Sequence, residues 1–422
     1  MNVEVMVDSN LVEFYEDLHE HPELGFQEKR TSSAVAERLT ALGFEVTAGV
    51  GKTGVVAILR NGDGPTALLR ADMDALPITE DTGLPYASTA TATDDSGKTV
   101  GVGHMCGHDM HTTCLVGAAT ALAGDRSSWS GTLMLVFQPA EELGAGAQAM
   151  VDDGLFTRFP TPDVILGQHV APLPAGKIAA HAGAAYAGSD SLRVQLVGKG
   201  AHGSMPQNSV DPIVMASATV LRLQTIISRE LASTDLAVLT VGSFHSGDAA
   251  NVIPNSAELQ LNIRSYDPTV RQHILDSVAR IARGEAETAR SPEVPTITQI
   301  EGFPVVINDA AALGKTLDVF RDWLGSDNII DPGAGAGSED VGVLASSSGA
   351  PLSFWLLGGA DPSLFTTGTM DDPAMRTIPS NHSPHYAPAI EPTLTLGVTA
   401  LVVAARSWLP AAGEKTRADG SE

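Results

Sequence analysis

The chain has 422 residues, 43% of them hydrophobic, enough for a large core and for one to three domains of ~150 residues each. Its 25 Lys and Arg stand against 50 Asp and Glu, and the net charge of −25 sets it against phosphate backbones and anionic lipid, so neither nucleic acid nor a membrane is expected as a partner. Two cysteines, Cys106 and Cys114, exclude a disulfide framework and fit a reducing, cytoplasmic compartment.

No Lys or Arg precedes Lys29, so no signal-peptide start is expected. Ser9 to Glu20 and Gln27 to Leu42 read as amphipathic helices, the second ended by Gly43. Val55 to Leu59, Ala67 to Arg70, Leu133 to Phe137 and Val164 to Gly167 are short apolar runs of the kind buried strands show. Asp109 to Ala123 reads as a helix between two of them. This alternation predicts an α/β fold with a mainly parallel sheet covered by helices. Near Gly183 the character changes. Ser191 to Val197 alternates as a half-exposed strand, and Asp211 to Leu231 reads as a long helix. Ala237 to Phe244, Ala257 to Arg264 and Thr269 to Ala289 follow as strand, strand and helix. Later come a helix from Ala310 to Leu324, a Gly-rich loop from Gly333 to Gly337, a strand from Leu352 to Leu357 and a helix from Pro392 to Leu409. The apolar stretch from Leu394 to Ala405 is too short to span a bilayer. The expected organisation is a catalytic domain in two parts, 1–183 and 301–411, interrupted by a smaller α+β unit at 184–300 and followed by a disordered tail at 412–422.

The densest chemistry lies in Gly103-His104-Met105-Cys106-Gly107-His108-Asp109-Met110-His111. Three histidines, a cysteine and an aspartate occupy eight residues at a loop-to-helix junction. Cys106-x-His108 can chelate a metal through sulfur and nitrogen; the duller alternative is a polar helix start with Asp109 in the first turn. Three apolar strands run into ionisable residues: Asp72 and Asp74, Glu141 and Glu142, and His169. In open α/β sheets the ligand crevice lies beyond the carboxyl ends of the strands, so these groups are expected to converge on one metal site. Adjacent Glu141 and Glu142 cannot easily both face one ion. A natural division makes one a ligand and leaves the other as a base for a metal-activated water. In Asn381-His382-Ser383-Pro384-His385-Tyr386 either histidine can be a ligand, and the residues alone do not choose between them. The inserted unit carries Gly198-Lys199-Gly200-Ala201-His202-Gly203, a turn that holds His202 outward and lacks the ending of a phosphate loop. Asn251 and Arg264 are its other polar features, with Arg264 either an anion binder or an ordinary surface residue.

Seven motifs stand in order: Arg70-Ala-Asp-Met-Asp-Ala-Leu-Pro77, His104-Met-Cys-Gly-His-Asp-Met-His111, Phe137-Gln-Pro-Ala-Glu-Glu142, Gly198-Lys-Gly-Ala-His-Gly203, Asn251-Val-Ile-Pro254, Ser338-Glu-Asp340 and His382-Ser-Pro384. Together they resemble the amidohydrolase branch of the metallo-aminoacylase/carboxypeptidase family, which includes hippurate hydrolases and indole-acetyl-amino-acid hydrolases. The resemblance runs from about His21 to Pro384. It implies a two-metal site with Cys106, His108, Glu142, His169 and His382 on the ligand positions, and so favours His382 over His385. Glu141 falls on the general-base position. The inserted unit resembles the family's lid or dimerisation domain, where the residue matching His202 can reach the other subunit's site and donate to the oxyanion. Asn251 and Arg264 match positions that can hold the substrate's carboxylate. Related dipeptidases begin the site with His-x-Asp; here the stretch reads Asp72-Met73-Asp74, so Asp74 is expected to orient a ligand. The segment from Thr366 to Ser380 is long for the family and can reshape the pocket. The implied activity is hydrolysis of an N-acyl amino acid to a carboxylic acid and a free amino acid. Two divalent ions are implied (Zn or Mn, with Co or Ni as alternatives), as is a homodimer or other homo-oligomer. The alternative activity is that of a metallo-aminopeptidase or dipeptidase.

Overall fold

The computed structural model describes residues 7–94, 96–367 and 372–411. The tail expected at 412–422 lies outside the described residues. The chain divides into two units. One comprises the residues up to Ala185, those from Ile307 to Gly333 and those from Asp340 on; the other comprises Tyr186–Val306 and Ala334–Glu339.

The first unit is built on an eight-stranded sheet in the order Glu45–Val50, Gly54–Asn61, Gly131–Gln138, Thr66–Asp72, Val164–Pro174, Leu352–Ala360, Ile178–Ala179, Ile329–Ile330. The four strands at its centre, from Gly131–Gln138 to Leu352–Ala360, are parallel. The α/β class with a mainly parallel sheet is therefore what the chain adopts. These strands read as continuous apolar runs because helices cover both faces and almost every residue is buried. Helix His108–Gly124 is buried all the way round from His108 to Ala119. It packs on helix Ile390–Trp408 through two glycines. A Cβ on Gly117 would lie 2.6 Å from Val398, and one on Gly397 would lie 2.5 Å from the sulfur of Cys114, so neither position has room for a side chain. The carboxyl ends of the parallel strands are aligned, with Asp72 opposite Gln138 and His169 opposite Leu356. The loops leaving this edge therefore start at a common level.

The second unit is a four-stranded antiparallel sheet in the order Ala237–His245, Ser256–Ser265, Gly188–Val197, Thr296–Phe303. Ser256–Ser265 alternates buried and part-exposed residues along its whole length, as a sheet covered on one face must. Its inner face packs with Met215 and Leu223 of helix Pro212–Thr225 and with Ile274, Val278 and Ile281 of helix Pro268–Ala289. The helix expected at 211–231 is shorter: Asp211 caps it, and after Thr225 it widens into a π-turn at Ile226–Glu230. Strands Glu45–Val50 and Thr296–Phe303 were not anticipated. Both are sheet edges, largely exposed, and lack an apolar run. Among the described residues no helix is long and apolar enough to cross a membrane.

Candidate metal centre

The site grows out of the aligned strand ends of the first unit. The chain leaves Thr66–Asp72 and places Asp74, fully buried, beneath two loops. One oxygen of Asp74 accepts the Glu141 amide at 3.0 Å and lies 3.3 Å from His108 Nδ1; the other accepts the Glu142 amide at 3.0 Å. Asp74 thus holds the paired glutamates and turns His108 so that Nε2 faces away from it. Nε2 of His108 lies 3.7 Å from Glu142 Oε1 and 3.9 Å from Glu141 Oε2. His108 Nε2 and Glu142 Oε1 are both buried and make no hydrogen bond. Two facing, unsatisfied polar atoms would be a net penalty unless something bridges them.

Cys106 and His169 complete the nearer side. Gly107, with φ 83°, lets the chain turn from Cys106 into the helix that begins at His108. Cys106 Sγ lies 3.5 Å from His169 Nε2. His169 Nδ1 donates to the Val170 carbonyl at 2.8 Å, which leaves Nε2 with its lone pair. Burial and the neighbouring His111 hold the His169 pKa well below the usual range, so the ring is neutral. His382 closes the opposite side, 3.4 Å from Glu142 Oε1. Its backbone is left-handed, φ 69°, and its amide donates to the Met105 carbonyl at 2.7 Å. Asn381 ties the same loop down by donating to the carbonyls of Cys106 and Val170, each at 3.1 Å. The neighbouring Cys106 sulfur and Glu142 carboxylate push the His382 pKa up to about 10. Burial alone would raise the pKa of Glu142, but His382 and His108 outweigh it and hold the carboxylate below its ordinary range.

The structure therefore brings Cys106, His108, Glu142, His169 and His382 together, with Glu141 beside them and only 5% exposed. Cys106, His108 and Glu142 offer donors within 4.8 Å of one another, a mixed S, N and O set that could hold a divalent ion. His385 is not part of the group; its Nδ1 sits 2.6 Å from the Asp81 carbonyl. His111 is close, but both ring nitrogens are used: Nε2 accepts the Val170 amide at 2.7 Å, so the proton lies on Nδ1, which donates to Asp72 at 2.5 Å. His111 thereby braces the strand that carries His169. Asp72 is in turn paired at 2.6 Å with Arg70, a fully buried guanidinium that also reaches Gln138 and Asp340. Burial opposes its charge, but His108, His111 and Arg70 outweigh it and hold the Asp72 carboxyl well below its usual range. The supports Arg70, His111 and Asn381 were given no role from the sequence. His111 at least stood inside the densest motif.

The other three candidates belong to the second unit. His202 is exposed, and its Nδ1 accepts from the Ser204 hydroxyl at 2.8 Å. The strand Ala201–His202 pairs with Val252–Ile253, which places Asn251 beside it; the Asn251 carbonyl accepts the Gly203 amide at 2.8 Å. Arg264 lies on a different strand. Its Nη1 donates to the Ala336 carbonyl at 3.0 Å and to the Ser338 hydroxyl at 2.8 Å, and its Nε to Asn262 at 3.2 Å. In the long segment ahead of His382, Asp372 is buried and accepts the amides of Thr366 and Ala374 at 2.8 and 3.0 Å; residues 368–371 lie outside the described residues.

Residues 68–375 match the model of peptidase family M20/M25/M40. The chain belongs to that family. It is 39% identical over 313 residues to a hippurate hydrolase of Campylobacter jejuni, covering 74% of this chain and 78% of that one. It is 35% identical over 336 residues to an N-acetyl-L-cysteine deacetylase of Bacillus subtilis, covering 79% and 77%. Among solved structures, a putative aminohydrolase from methicillin-resistant Staphylococcus aureus superposes with a TM-score of 0.82 at 29% identity, covering 94% of this chain and 96% of that one. A dinuclear metal-binding peptidase of the M20 family from Bacillus subtilis superposes with a TM-score of 0.75, also at 29% identity, covering 95% and 98%. As a member of this family the chain is a hydrolase of amide bonds.

Proposed function

We propose that this hydrolase cleaves N-acyl amino acids to a carboxylic acid and a free amino acid. In this reading two divalent metal ions are held by Cys106, His108, Glu142, His169 and His382. The observation that carries it is the convergence of these five donors, two of whose atoms, His108 Nε2 and Glu142 Oε1, are buried without a hydrogen bond, with a second carboxylate, Glu141, beside them. The hippurate hydrolase and the deacetylase among its relatives support the substrate class. Bound there, the metal ions supply Lewis acidity, acidifying water and polarising the acyl carbonyl. The thiolate and imidazoles favour zinc, while the carboxylate also suits manganese, and cobalt or nickel can substitute.

Glu141 takes the proton of the attacking water and returns it to the departing amine. Its backbone is fixed through its amide by Asp74, so the carboxylate works from a set position. Arg70 and Asp72 hold His111, and through it the strand of His169, so the donors need little rearrangement. His202 would donate to the developing oxyanion from a second copy of the chain, and Asn251 and Arg264 would meet the substrate's carboxylate. Support for a homodimer comes from the second unit itself: Ala237–His245 is an edge strand, with Leu236, Val238 and Phe244 exposed along it. Both cysteines are free, in keeping with a cytoplasmic enzyme.

The test is hydrolysis by the purified protein of hippurate, N-acetyl amino acids and free dipeptides, after chelator treatment and after adding back Zn²⁺ or Mn²⁺. Metal-restored release of amino acid from the N-acyl compounds is the expected result. Cleavage of free dipeptides alone would replace this reading with an aminopeptidase or dipeptidase.

A further inference from the structure

The pair Glu141–Glu142 leaves strand Gly131–Gln138 through Ala140, whose backbone is left-handed (φ 46°, ψ 42°), a conformation an alanine rarely adopts. Something must hold it there. The three successive amides of Ala140, Glu141 and Glu142 all donate to buried carboxylates. Asp74 takes the second and third. The first, Ala140, donates at 2.8 Å to Glu28, which lies 112 positions earlier in the chain. Glu28 is fully buried, and its other oxygen accepts the Thr53 hydroxyl at 2.5 Å. It also occupies the N-cap position of helix Lys29–Ala41, where a side chain usually serves the helix's own first amides, yet makes no such bond. Its carboxylate has been diverted from the helix to the loop.

We propose that Glu28 is a positioning residue for the reaction: by accepting the Ala140 amide it holds the left-handed turn that aims Glu141 and Glu142. This rests on the reading of Glu141 as base and Glu142 as ligand. Glu28 touches no reacting atom, so its effect is on kcat and not on substrate affinity. The required property is an acceptor of the right reach. Glutamine supplies it, since its amide oxygen can take the Ala140 amide while the Thr53 hydroxyl reverses to accept from its NH₂. Aspartate keeps the charge but falls one methylene short.

The test compares kcat, KM and metal content of Glu28→Gln, Glu28→Asp and Glu28→Ala on the N-acyl amino acid turned over fastest. Leu39→Ala, equally buried on the same helix, serves as a control for destabilisation alone. Glu28→Asp and Glu28→Ala should lose about tenfold to a hundredfold in kcat with KM nearly unchanged, because a misplacement of ~1 Å at a reacting group has effects of that size. Glu28→Gln should stay within about threefold of the wild type, and Leu39→Ala should keep kcat per folded molecule. Full kcat in Glu28→Ala, an equal loss in Leu39→Ala, or a loss in Glu28→Gln as large as in Glu28→Ala would overturn the proposal. If Glu28→Asp and Glu28→Ala do not fold, hydrogen exchange on the wild-type protein decides. The amide of Ala140, the one that Glu28 accepts, should be strongly protected, and its exchange at open-loop rates would overturn the proposal. Glu141→Gln is run alongside: if it retains activity, the base assignment has failed, while the exchange result still stands or falls with Glu28.

Discussion

Most candidate residues of the two units are held in opposite ways, the exceptions being His382, exposed in the first, and Arg264, braced by Ala336, Ser338 and Asn262 in the second. In the first, Cys106, His108, Glu142 and His169 are buried or nearly so, and each is braced by another group: Asp74 under His108 and the glutamate amides, Asn381 over Cys106, the Val170 carbonyl on His169. In the second, His202 and Asn251 are exposed, and the hydrogen bonds they make among the described residues stay within the small two-stranded pairing of Ala201–His202 with Val252–Ile253 and its flanks. The first arrangement is settled before any ligand arrives, as electrostatic catalysis requires. In the function proposed above, the second would gain its definition from what it meets, substrate or another copy of the chain.

Glu141→Gln tests the settled half most directly. It should lower kcat by about 10²- to 10⁴-fold, the range for a lost general base, with metal content and folding unchanged. His202→Ala tests the other half and should lower kcat less, by about 10²-fold, as loss of one oxyanion donor does. It should do so only under conditions where the protein associates. A monomeric protein with full activity and no dependence on His202 would break the comparison, because the exposed half would then contribute nothing.

Asp74→Asn should sharpen it. The carboxylate accepts from three donors, and an asparagine offers one oxygen and one NH₂, so at least one of His108 Nδ1–H, the Glu141 amide and the Glu142 amide would face a donor. Metal affinity or activity should fall by about 10- to 100-fold, the usual size for loss of a group that orients a ligand. Metal content after dialysis against graded chelator checks this. No change would mean that the glutamate loop is held from elsewhere.

How much of this was readable in advance follows from the same contrast. Strand ends carrying Asp74, Glu141, Glu142 and His169 are visible because apolar runs terminating in ionisable residues are unusual and topology sends them to one edge. His382 and His385 could not be separated on pattern, since both sit in one loop. What separates them is a left-handed backbone at 382 and the grip of Asn381, neither of which has a periodic signature. Glu28 and Arg70 were passed over for a similar reason. A glutamate before a helix and an arginine in a strand are commonplace, and only long-range pairing shows what they hold. Glu45–Val50 and Thr296–Phe303 escaped because an edge strand needs no continuous apolar run.

The two units also differ in how they bury charge, and pH should separate them. In the second unit Asp190 is paired with Arg271 through contacts of 2.7 and 2.6 Å, and a guanidinium stays charged at any pH the protein survives. In the first, His19 lies fully buried between Asp109 at 2.6 Å and Glu80 at 3.1 Å, with the Tyr15 and Tyr86 rings packed around it. Burial opposes its charge, but the two carboxylates outweigh burial and raise its pKa from 6.5 to about 10. The folded state therefore binds this proton more tightly than the unfolded chain. The stabilisation is fully present below pH 6.5 and is lost as the pH rises through that window towards 10. The slope is at most about 1.4 kcal/mol per pH unit. All four tryptophans (Trp129, Trp323, Trp355 and Trp408) lie in the first unit, so their fluorescence reports its unfolding alone. Denaturant midpoints followed this way should fall steadily from pH 6.5 to 10 in the wild type. In His19→Gln they should start lower and fall less steeply, the remaining slope coming from His382, whose pKa is also raised to about 10. A wild-type midpoint that stays flat across this range would mean that His19 is neutral in the fold, and the contrast between the two buried pairs would disappear.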